Sequence, residues 1–327
     1  MNELALASFA AATDAHLVGE PRSVRFAAFK ARFDGRAELE RLHALGLRFL
    51  ARSDPAFPPL LRAIHDPPPG LFLRGDTEVA LLARPAVAVV GARACSAYGR
   101  QIARSLGRDL AAAGLVVVSG LARGIDAEAH RGALEADGAT VAVLGCGVDR
   151  DYPAAHRELA RQIAATGLVV AEYAPGVEPA PWRFPARNRI VAGLCAAAVV
   201  VEARERSGAL ITADFALEEG REVFAVPGEI TSSLSAGANA LLRLGATPLT
   251  CAQDVLESYG LEHASAAAPA LSEAAAAVLG RIREEACGAD ALSRALGLAA
   301  GELAVALTEL ELAGVACEED GVYRAAS

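Results

Sequence analysis

The sequence predicts an α/β protein in which helices cover both faces of a doubly wound parallel β-sheet. Six short, mainly apolar runs, each closed by Gly, Glu or Pro, recur along the chain at 87–91, 116–120, 141–145, 168–172, 198–202 and 223–227. Helical stretches such as 101–113 and 126–136 separate them. Apolar strands that alternate with helices are typical of a parallel sheet buried on both sides. Because 53% of the residues are hydrophobic but only 5% aromatic, Ala, Leu and Val fill the core. We therefore expect an extended Rossmann-like sheet.

The rest of the chain predicts smaller units on either side of this sheet. Residues 1–52 read as a small N-terminal helical region, with helices at 24–33 and 37–47. A proline-rich connector and a short strand at 71–75 then open the Rossmann-like domain, which we assign to 53–258. The Ala-rich stretch 259–271 is predicted to be a linker. Residues 272–327 show three helices followed by a hairpin, the pattern of a winged-helix domain, with the helices at 275–285, 289–296 and 300–313.

Composition and spacing exclude several classes of protein. The longest uncharged apolar run, 190–201, has twelve residues, whereas a membrane span needs about 20. The first ten residues carry an acid and no basic cluster, so no signal peptide is expected. Six scattered cysteines form no CxxC pair, which predicts neither a zinc ribbon nor a disulfide framework and indicates a reducing cytoplasm. The one lysine, Lys30, lies outside the sheet, which excludes a P-loop ATPase. We expect no cofactor and no metal.

The net charge of −9 hides an uneven distribution. Residues 257–327 carry 4 basic and 12 acidic groups, whereas 86–256 carry 16 and 18. A local basic site in the sheet domain therefore remains compatible with an acidic chain. The last helix of the winged-helix unit carries Glu302, Glu309 and Glu311 without any Arg or Lys. Because affinity for DNA comes largely from neutralised phosphates, we expect this unit to contact protein rather than DNA.

The loops at the carboxyl ends of the strands carry the candidate binding residues, because ligands of such sheets bind at that edge. In the first loop, 91–99, Arg93 and Ser96 lie beside a predicted helix start that favours an anion, although the GxGxxG spacing is missing. The alternative is a tight turn with a solvated arginine. In the second loop Ser119, Gly120 and Arg123 point to the same edge.

The helix after the second loop offers a possible catalytic group that we disfavour. Asp126 is a candidate helix N-cap, and together with Glu128 and His130 it suggests acid–base chemistry. Capping by Asp126 and a local hydrogen bond of His130 are the simpler interpretation. No nucleophile–base pair appears in the sequence.

Two later segments extend the candidate site. Residues 182–189 place Arg183, Arg187, Asn188 and Arg189 among two aromatic residues, a combination that suits phosphates and stacked bases. The alternative is a structural arginine cluster that pairs with the acids Glu172 and Glu202. Ser207, Gly208 and Thr212 follow the fifth strand, and the hydroxyl-rich segment 227–239 is either a further phosphate contact or a polar turn.

Taken together, these strings resemble the DNA-processing protein A (DprA/Smf) family. The matching stretches run in family order over roughly 200 residues: FPPLLRAIHDPPPGLFLRG (57–75), VVGARACSAYG (89–99), SGLARGIDAEAHRGAL (119–134), AVLGCGVDRDYP (142–153), FPARNRIVAGL (184–194), VEARERSGALITA (201–213) and VFAVPG (223–228). The resemblance implies a non-enzymatic, homodimeric protein that binds single-stranded DNA, protects incoming strands during natural transformation and loads the RecA recombinase. It also implies a helical N-terminal domain of the sterile-alpha-motif type.

The resemblance further implies which residues contact phosphates and bases: Arg93, Ser119, Gly120, Arg123, Arg187, Asn188, Arg189, Ser207 and Gly208. Two other classes stay open as alternatives. Nucleoside-monophosphate phosphoribohydrolases have a related sheet, but their PGGxGTxxE string is replaced here by Pro-Gly-Glu-Ile-Thr-Ser at 227–232. A dinucleotide-dependent oxidoreductase is disfavoured by the missing GxGxxG.

Overall fold

The computed structural model describes residues 2–13, 24–261, 271–319 and 321–325. The chain forms two compact units, Met1–His263 and Ala264–Ser327, which we describe separately. The division lies inside the predicted linker, of which residues 262–270 are outside the described residues. No helix in the described ranges is both long and apolar enough to cross a membrane.

The first unit is built on a nine-stranded sheet, and all six predicted apolar runs are strands of it. The strands are β1 (Leu47–Ala51), β2 (Gly70–Arg74), β3 (Ala86–Val90), β4 (Val116–Ser119), β5 (Thr140–Val143), β6 (Leu168–Ala171), β7 (Ala197–Val200), β8 (Glu222–Ala225) and β9 (Thr247–Pro248). Their spatial order is β1-β2-β6-β5-β4-β3-β7-β8-β9. In this spatial order, every strand between β6 at one side and β9 at the other, β3, β4 and β5 included, runs parallel to its neighbours. By contrast, β2 pairs antiparallel with both β1 and β6.

Helices cover both faces of this sheet, as the apolar strands predict. The helices are α1 (Asn2–Thr13), α2 (Val24–Lys30), α3 (Gly35–Ala44), α4 (Pro59–Arg62), α5 (Ala97–Ala112), α6 (Ile125–Glu135), α7 (Arg157–Thr166), α8 (Arg183–Gly193), α9 (Gly208–Glu218), α10 (Ala236–Arg243) and α11 (Ala252–Ser258). One core lies under α4, α8, α9 and α10. Two further cores fill the spaces under α5, α6 and α11 and under α1, α3 and α7. The predicted doubly wound class is confirmed.

The N-terminal region differs from the prediction at one element. The helix expected over 37–47 ends at Ala44, and Leu47 instead begins β1. Gly46 has φ +68°, a left-handed conformation that ends helices and that other residues adopt only with strain. The following strand then pairs with β2 in the register Leu47↔Arg74. Burial of Leu47 and Leu50 against the sheet outweighs the helical spacing seen in the sequence.

The second unit contains three helices and a small antiparallel sheet. These elements are α12 (Glu273–Glu284), β10 (Cys287–Gly288), α13 (Ala289–Leu296), α14 (Ala300–Leu312), β11 (Ala316–Glu319) and β12 (Val322–Ala325). The predicted hairpin is β11–β12, and the short strand β10 adds to β12. Buried Val278, Leu292 and Leu307 hold the three helices together.

The strand order places a crevice at one edge of the first unit. From β3 the chain moves outward through β4, β5 and β6, then returns to the other side of β3 with β7. The loops that leave β3 and β7 therefore turn in opposite directions at the carboxyl edge. Such a switch point is where open α/β sheets bind their ligands.

Candidate nucleic-acid interface

A cleft of about 510 Å³ lies at this switch point. The loops after β3, β4 and β7 line it together with the first turns of α8 and α9. An adjoining cavity of about 480 Å³ extends it towards the loop after β5, and Arg93, Phe184 and Arg187 line both. We call the two together the carboxyl-edge cleft. Most of the predicted site residues line it, whereas Ser96, Ser119, Arg183 and Arg189 do not.

Four exposed arginines line the carboxyl-edge cleft: Arg93, Arg123, Arg204 and Arg206. Within the described part of the chain, none of the four has an ion-pair partner. Sequence reasoning did not select Arg204 and Arg206, although they follow β7 as Arg93 follows β3. The position after a strand end was the signal that would have found them. Unpaired guanidinium groups in a cleft make it a site for anions.

The floor of the cleft is a buried arginine–aspartate arrangement. Arg187 donates from Nη1 to the Gly120 carbonyl at 2.9 Å, and Asp126 accepts from the Gly120 and Ala122 amides at 3.1 and 3.2 Å. Desolvation raises the pKa of Asp126, while the charge of Arg187 opposes that shift. Desolvation lowers the pKa of Arg187, because burial disfavours the charged form of both groups. The two side chains fix the backbone of the Gly120 loop, and Arg187 itself is only 4% exposed.

The N-cap role expected of Asp126 is not what the structure shows. Gly124 precedes the first residue of α6, and Asp126 lies inside its first turn with its carboxylate turned back to the loop. The local hydrogen bond expected of His130 is present, since Nδ1 lies 2.7 Å from the Thr140 hydroxyl. Burial lowers the pKa of His130 to about 3. A fully buried neutral imidazole is not placed for proton exchange with a ligand.

Arg189 forms ion pairs inside the protein, which was the alternative interpretation of the arginine cluster. Its Nη1 and Nη2 donate to the two carboxylate oxygens of Glu172 at 2.8 and 2.7 Å, and its Nε donates to Asp66 at 3.0 Å. Burial works against the charge, but Glu172 and Asp66 outweigh it and raise the pKa of Arg189. These contacts join α8 to β6 and to the proline-rich connector.

Arg183 is also held by the protein itself. Its guanidinium carbon lies 4.9 Å from the ring centroid of Trp182 and 5.3 Å from that of Tyr173, and Nη1 donates to the Glu178 carbonyl. The side chain is buried. It positions the aromatic residues at the start of α8 instead of presenting a charge to the cleft.

The anion site expected at the start of α5 is occupied by a carboxylate of the chain. Glu202, from the end of β7, accepts from the Ser96 amide at 2.9 Å and from the Ser96 hydroxyl. The same hydroxyl accepts from the Gly99 amide at 3.0 Å, so Ser96 caps α5. The positive end of the α5 dipole is therefore neutralised by a carboxylate of the same chain.

The remaining predicted hydroxyl and amide groups differ in their access to the cleft. Ser119 is fully buried and donates to the Val89 carbonyl at 2.6 Å. Ser207 caps α9 and lines the cleft with Gly208 and the buried Thr212. Asn188 donates from Nδ2 to the Gly208 carbonyl at 3.0 Å, which ties α8 to the start of α9. The amide groups of the α9 N-terminus thus add to the positive character of the cleft.

Aromatic rings form a further part of the cleft wall. Tyr152 stacks on Phe184 with ring centroids 5.3 Å apart and planes at 25°, and the Arg93 guanidinium lies 5.3 Å from the centroid of Phe184. By contrast, Asn239 and Gly228 exchange two hydrogen bonds of 3.0 and 3.2 Å, which closes the segment 227–239 on itself. Among the described residues, no group of three or more His, Cys, Asp or Glu is arranged to hold a metal ion.

In the second unit, the helix α14 carries acids and no basic residue. Glu302 accepts from the Ala299 amide at the helix start, and Glu309 accepts from the Ser272 amide at 2.7 Å. Leu312 and Val305 are exposed on the same helix. The surface is acidic and partly apolar, in agreement with the charge pattern of the sequence.

Comparison with known proteins identifies relatives over most of the chain. Residues 48–260 match the family described as DNA recombination-mediator protein A, and residues 262–321 match the DprA winged helix domain. The DNA processing protein DprA of Streptococcus pneumoniae is 48% identical over 63% of this chain and 72% of its own length. A putative DNA processing protein DprA of Mycobacterium tuberculosis is 41% identical over 88% and 79%, and the Smf protein of Escherichia coli is 39% identical over 82% and 74%.

Solved structures that share this fold include two of DNA processing protein A. The X-ray structure of DNA processing protein A from Streptococcus pneumoniae matches with a TM-score of 0.67 and 40% identity, over 79% of this chain and 93% of that one. The DNA processing protein A of Helicobacter pylori, described for its single-stranded DNA binding mode, matches with a TM-score of 0.59 and 31% identity, over 65% and 95%.

Proposed function

The chain belongs to the DNA recombination-mediator protein A family, and from this premise we propose that it binds single-stranded DNA in the carboxyl-edge cleft without catalysing a reaction. The observation that carries the proposal is the set of exposed arginines without carboxylate partners: Arg93, Arg123, Arg204 and Arg206. The likeness to the Helicobacter pylori protein supports the same class of ligand.

The proposal assigns different roles to the predicted site residues. The exposed arginines and the start of α9 contact phosphates, because guanidinium groups and helix N-termini both favour anions. The floor of the cleft, against which the DNA lies, is shaped by Arg187, Asp126 and Gly120. Arg183, Arg189, Ser96 and Ser119 hold the walls in place through contacts inside the protein. The candidate acid–base groups Asp126 and His130 are engaged inside the protein, which supports a binding role.

We extend the proposal to the partners of the complex. A family of recombination mediators implies delivery of the bound strand to a recombinase of the RecA type in the cytoplasm. A homodimer is supported by apolar side chains left open on the first unit, since Leu217 on α9 is 54% exposed and Leu244 after α10 is 84% exposed. Sedimentation of the purified protein at micromolar concentration should show a dimer, and Leu244→Asp should shift it towards monomer.

The salt dependence of binding tests the site. Fluorescence anisotropy with a labelled oligonucleotide gives the slope of log affinity against log salt concentration, to which each phosphate contact on a single strand contributes about 0.7. Replacing both Arg93 and Arg206 by Ala should lower this slope by about 1.4 and weaken all sequences alike. Arg36→Ala is the matched control, because Arg36 is exposed on α3 and pairs with Glu40. An unchanged slope in the double variant would refute the site.

A competition experiment separates the proposal from the enzymatic alternative. A nucleotide-processing enzyme binds a mononucleotide in the cleft and releases its base. We expect millimolar mononucleotide neither to displace the oligonucleotide nor to be hydrolysed. Displacement together with base release would instead favour the phosphoribohydrolase class.

A further inference from the structure

The loop after β4 contains a residue in an unusual backbone conformation. Leu121 has φ +58°, and among the described residues only one other non-glycine residue, Asp137, has a positive φ. In this left-handed region the side chain of an L-residue crowds its own backbone, so the conformation persists only where the surroundings compensate for it. Leu121 lies between Gly120 and Ala122, which both line the carboxyl-edge cleft. The strained residue is therefore part of the loop that forms the candidate DNA site.

The side of the loop that faces away from the cleft supplies this compensation. The Leu121 side chain is 1% exposed and belongs to the core under α1, α3 and α7, together with Leu42 and Leu159. Its carbonyl accepts a hydrogen bond from Nδ1 of the buried His156 at 3.0 Å. Leu121 itself lines neither cavity of the cleft. The residue therefore anchors the loop from behind, at a point that a ligand in the cleft does not touch.

The group that this anchor presents is Arg123. Its side chain is exposed, lines the cleft and forms no ion pair within the described part of the chain. On its other side Gly124 has φ +76°, and a Cβ atom there would collide with the Ala92 carbonyl. The Ile125 amide donates to the same carbonyl at 3.3 Å. The arginine therefore lies between two left-handed residues, each of which is fixed to a different part of the protein.

We propose that Leu121 is a positioning residue for DNA binding: its left-handed conformation, held by the core and by His156, directs Arg123 into the carboxyl-edge cleft. This inference rests on the proposed function, because Arg123 contacts a phosphate of the single strand. If Leu121 leaves the left-handed region, the direction of the chain at Arg123 changes and the guanidinium no longer reaches that phosphate. An uncharged, buried side chain then controls part of the salt dependence of binding.

Two substitutions of similar bulk separate the backbone conformation of Leu121 from its packing. Ile and Met nearly conserve the volume of Leu, and such exchanges are tolerated in protein cores. A β-branched residue is strongly disfavoured at positive φ, so Leu121→Ile favours departure from the left-handed region, whereas Leu121→Met does not. Leu42→Ile is the matched control, because Leu42 is equally buried in the same core but lies in the helix α3. The thermal midpoint confirms that each full-length variant is folded.

Fluorescence anisotropy with a labelled oligonucleotide measures the salt slope of each variant. Arg123→Ala should lower the slope by about 0.7, which corresponds to about fivefold weaker binding at about 0.1 M salt. Leu121→Ile should show most of this loss, and combining it with Arg123→Ala should lower the slope no further. Leu121→Met, the conservative variant, and Leu42→Ile should keep the slope of wild type.

The positioning role is wrong if Leu121→Ile keeps the slope of wild type, or if Leu42→Ile lowers the slope as much. It is also wrong if the double variant loses about 0.7 more than Arg123→Ala, because the two residues would then act independently. In each of these cases the binding function stands. If wild type does not bind the oligonucleotide, the proposed function fails and the positioning role with it.

Discussion

Replacing Arg189 by Met should destabilise the protein and leave the salt dependence of its DNA binding unchanged. Arg189 and Glu172 form a bidentate pair whose side chains are only 11% and 4% exposed. Without the guanidinium, the Glu172 carboxylate stays buried without its counter-charge. Breaking a buried pair in this way costs about 3–5 kcal/mol, a large part of the roughly 5–15 kcal/mol that stabilises a typical domain.

The second contact of Arg189 provides an internal scale for this prediction. Asp66 binds the Nε of Arg189 at 3.0 Å, but its side chain is 45% exposed. Exposed ion pairs contribute about 0–1 kcal/mol, so Asp66→Asn should lower the free energy of unfolding by no more than about 1 kcal/mol. The ratio of the two losses in unfolding free energy therefore reports the different burial of the two carboxylates that bind Arg189.

Urea denaturation followed by Trp182 emission measures the effect in the first unit, because Trp182 immediately precedes α8, the helix that carries Arg189. Arg206→Ala serves as the reciprocal control. It removes an exposed arginine of the cleft, so it should lower the salt slope of DNA binding and leave the unfolding free energy within about 0.5 kcal/mol of wild type. The reasoning is refuted if Arg189→Met loses less than about 1 kcal/mol or lowers the salt slope as Arg206→Ala does.

Three further predictions follow from particular contacts. Gly120→Ala should lose about 1–3 kcal/mol of stability in urea denaturation, because the added Cβ would collide with the Arg187 guanidinium, whereas Gly208→Ala has open space around its Cβ and should be neutral. Burial lowers the pKa of His130 from 6.5 to about 3. Between these two pH values the histidine is protonated in the unfolded chain and neutral in the folded chain. Unfolding free energy should therefore fall as the pH drops below 6.5, and less steeply in His130→Gln; equal slopes would contradict this. Deleting 264–327 should change single-strand affinity in anisotropy by less than tenfold, and a larger loss in a folded truncation would show that the acidic unit contributes to binding.

The strands of the sheet were largely predictable because burial on both faces leaves a signal that local rules detect. Runs such as Val87–Val90 have no polar residue to interrupt them, and each became a central strand. The edge of the sheet was harder. The helical spacing of 37–47 runs as far as Leu47, and only the pairing of 47–51 with β2 decides for a strand there. The paired residues lie 19 to 27 positions apart, a separation that no short window of sequence contains.

The candidate site shows the same division between local and distant information. Residue type and position after strand ends predicted that arginines gather at one edge. Which of them remain exposed was not predictable, because it depends on where carboxylates from other elements lie. Arg189 meets Glu172 after β6 and Asp66 from the connector, while Arg93 lies over the ring of Phe184 and forms no ion pair among the described residues. Two arginines with equal chemistry therefore have different roles.

The carboxylate of Glu202 has a consequence for the design of inhibitors. Compounds that imitate dinucleotides rely on a vacant helix N-terminus for their diphosphate, but the amide and hydroxyl of Ser96 at the start of α5 already donate to this carboxylate. Such a compound would meet a fixed negative charge where it needs donors. A compound directed at this cleft should instead place its acidic group at the exposed arginines and the start of α9.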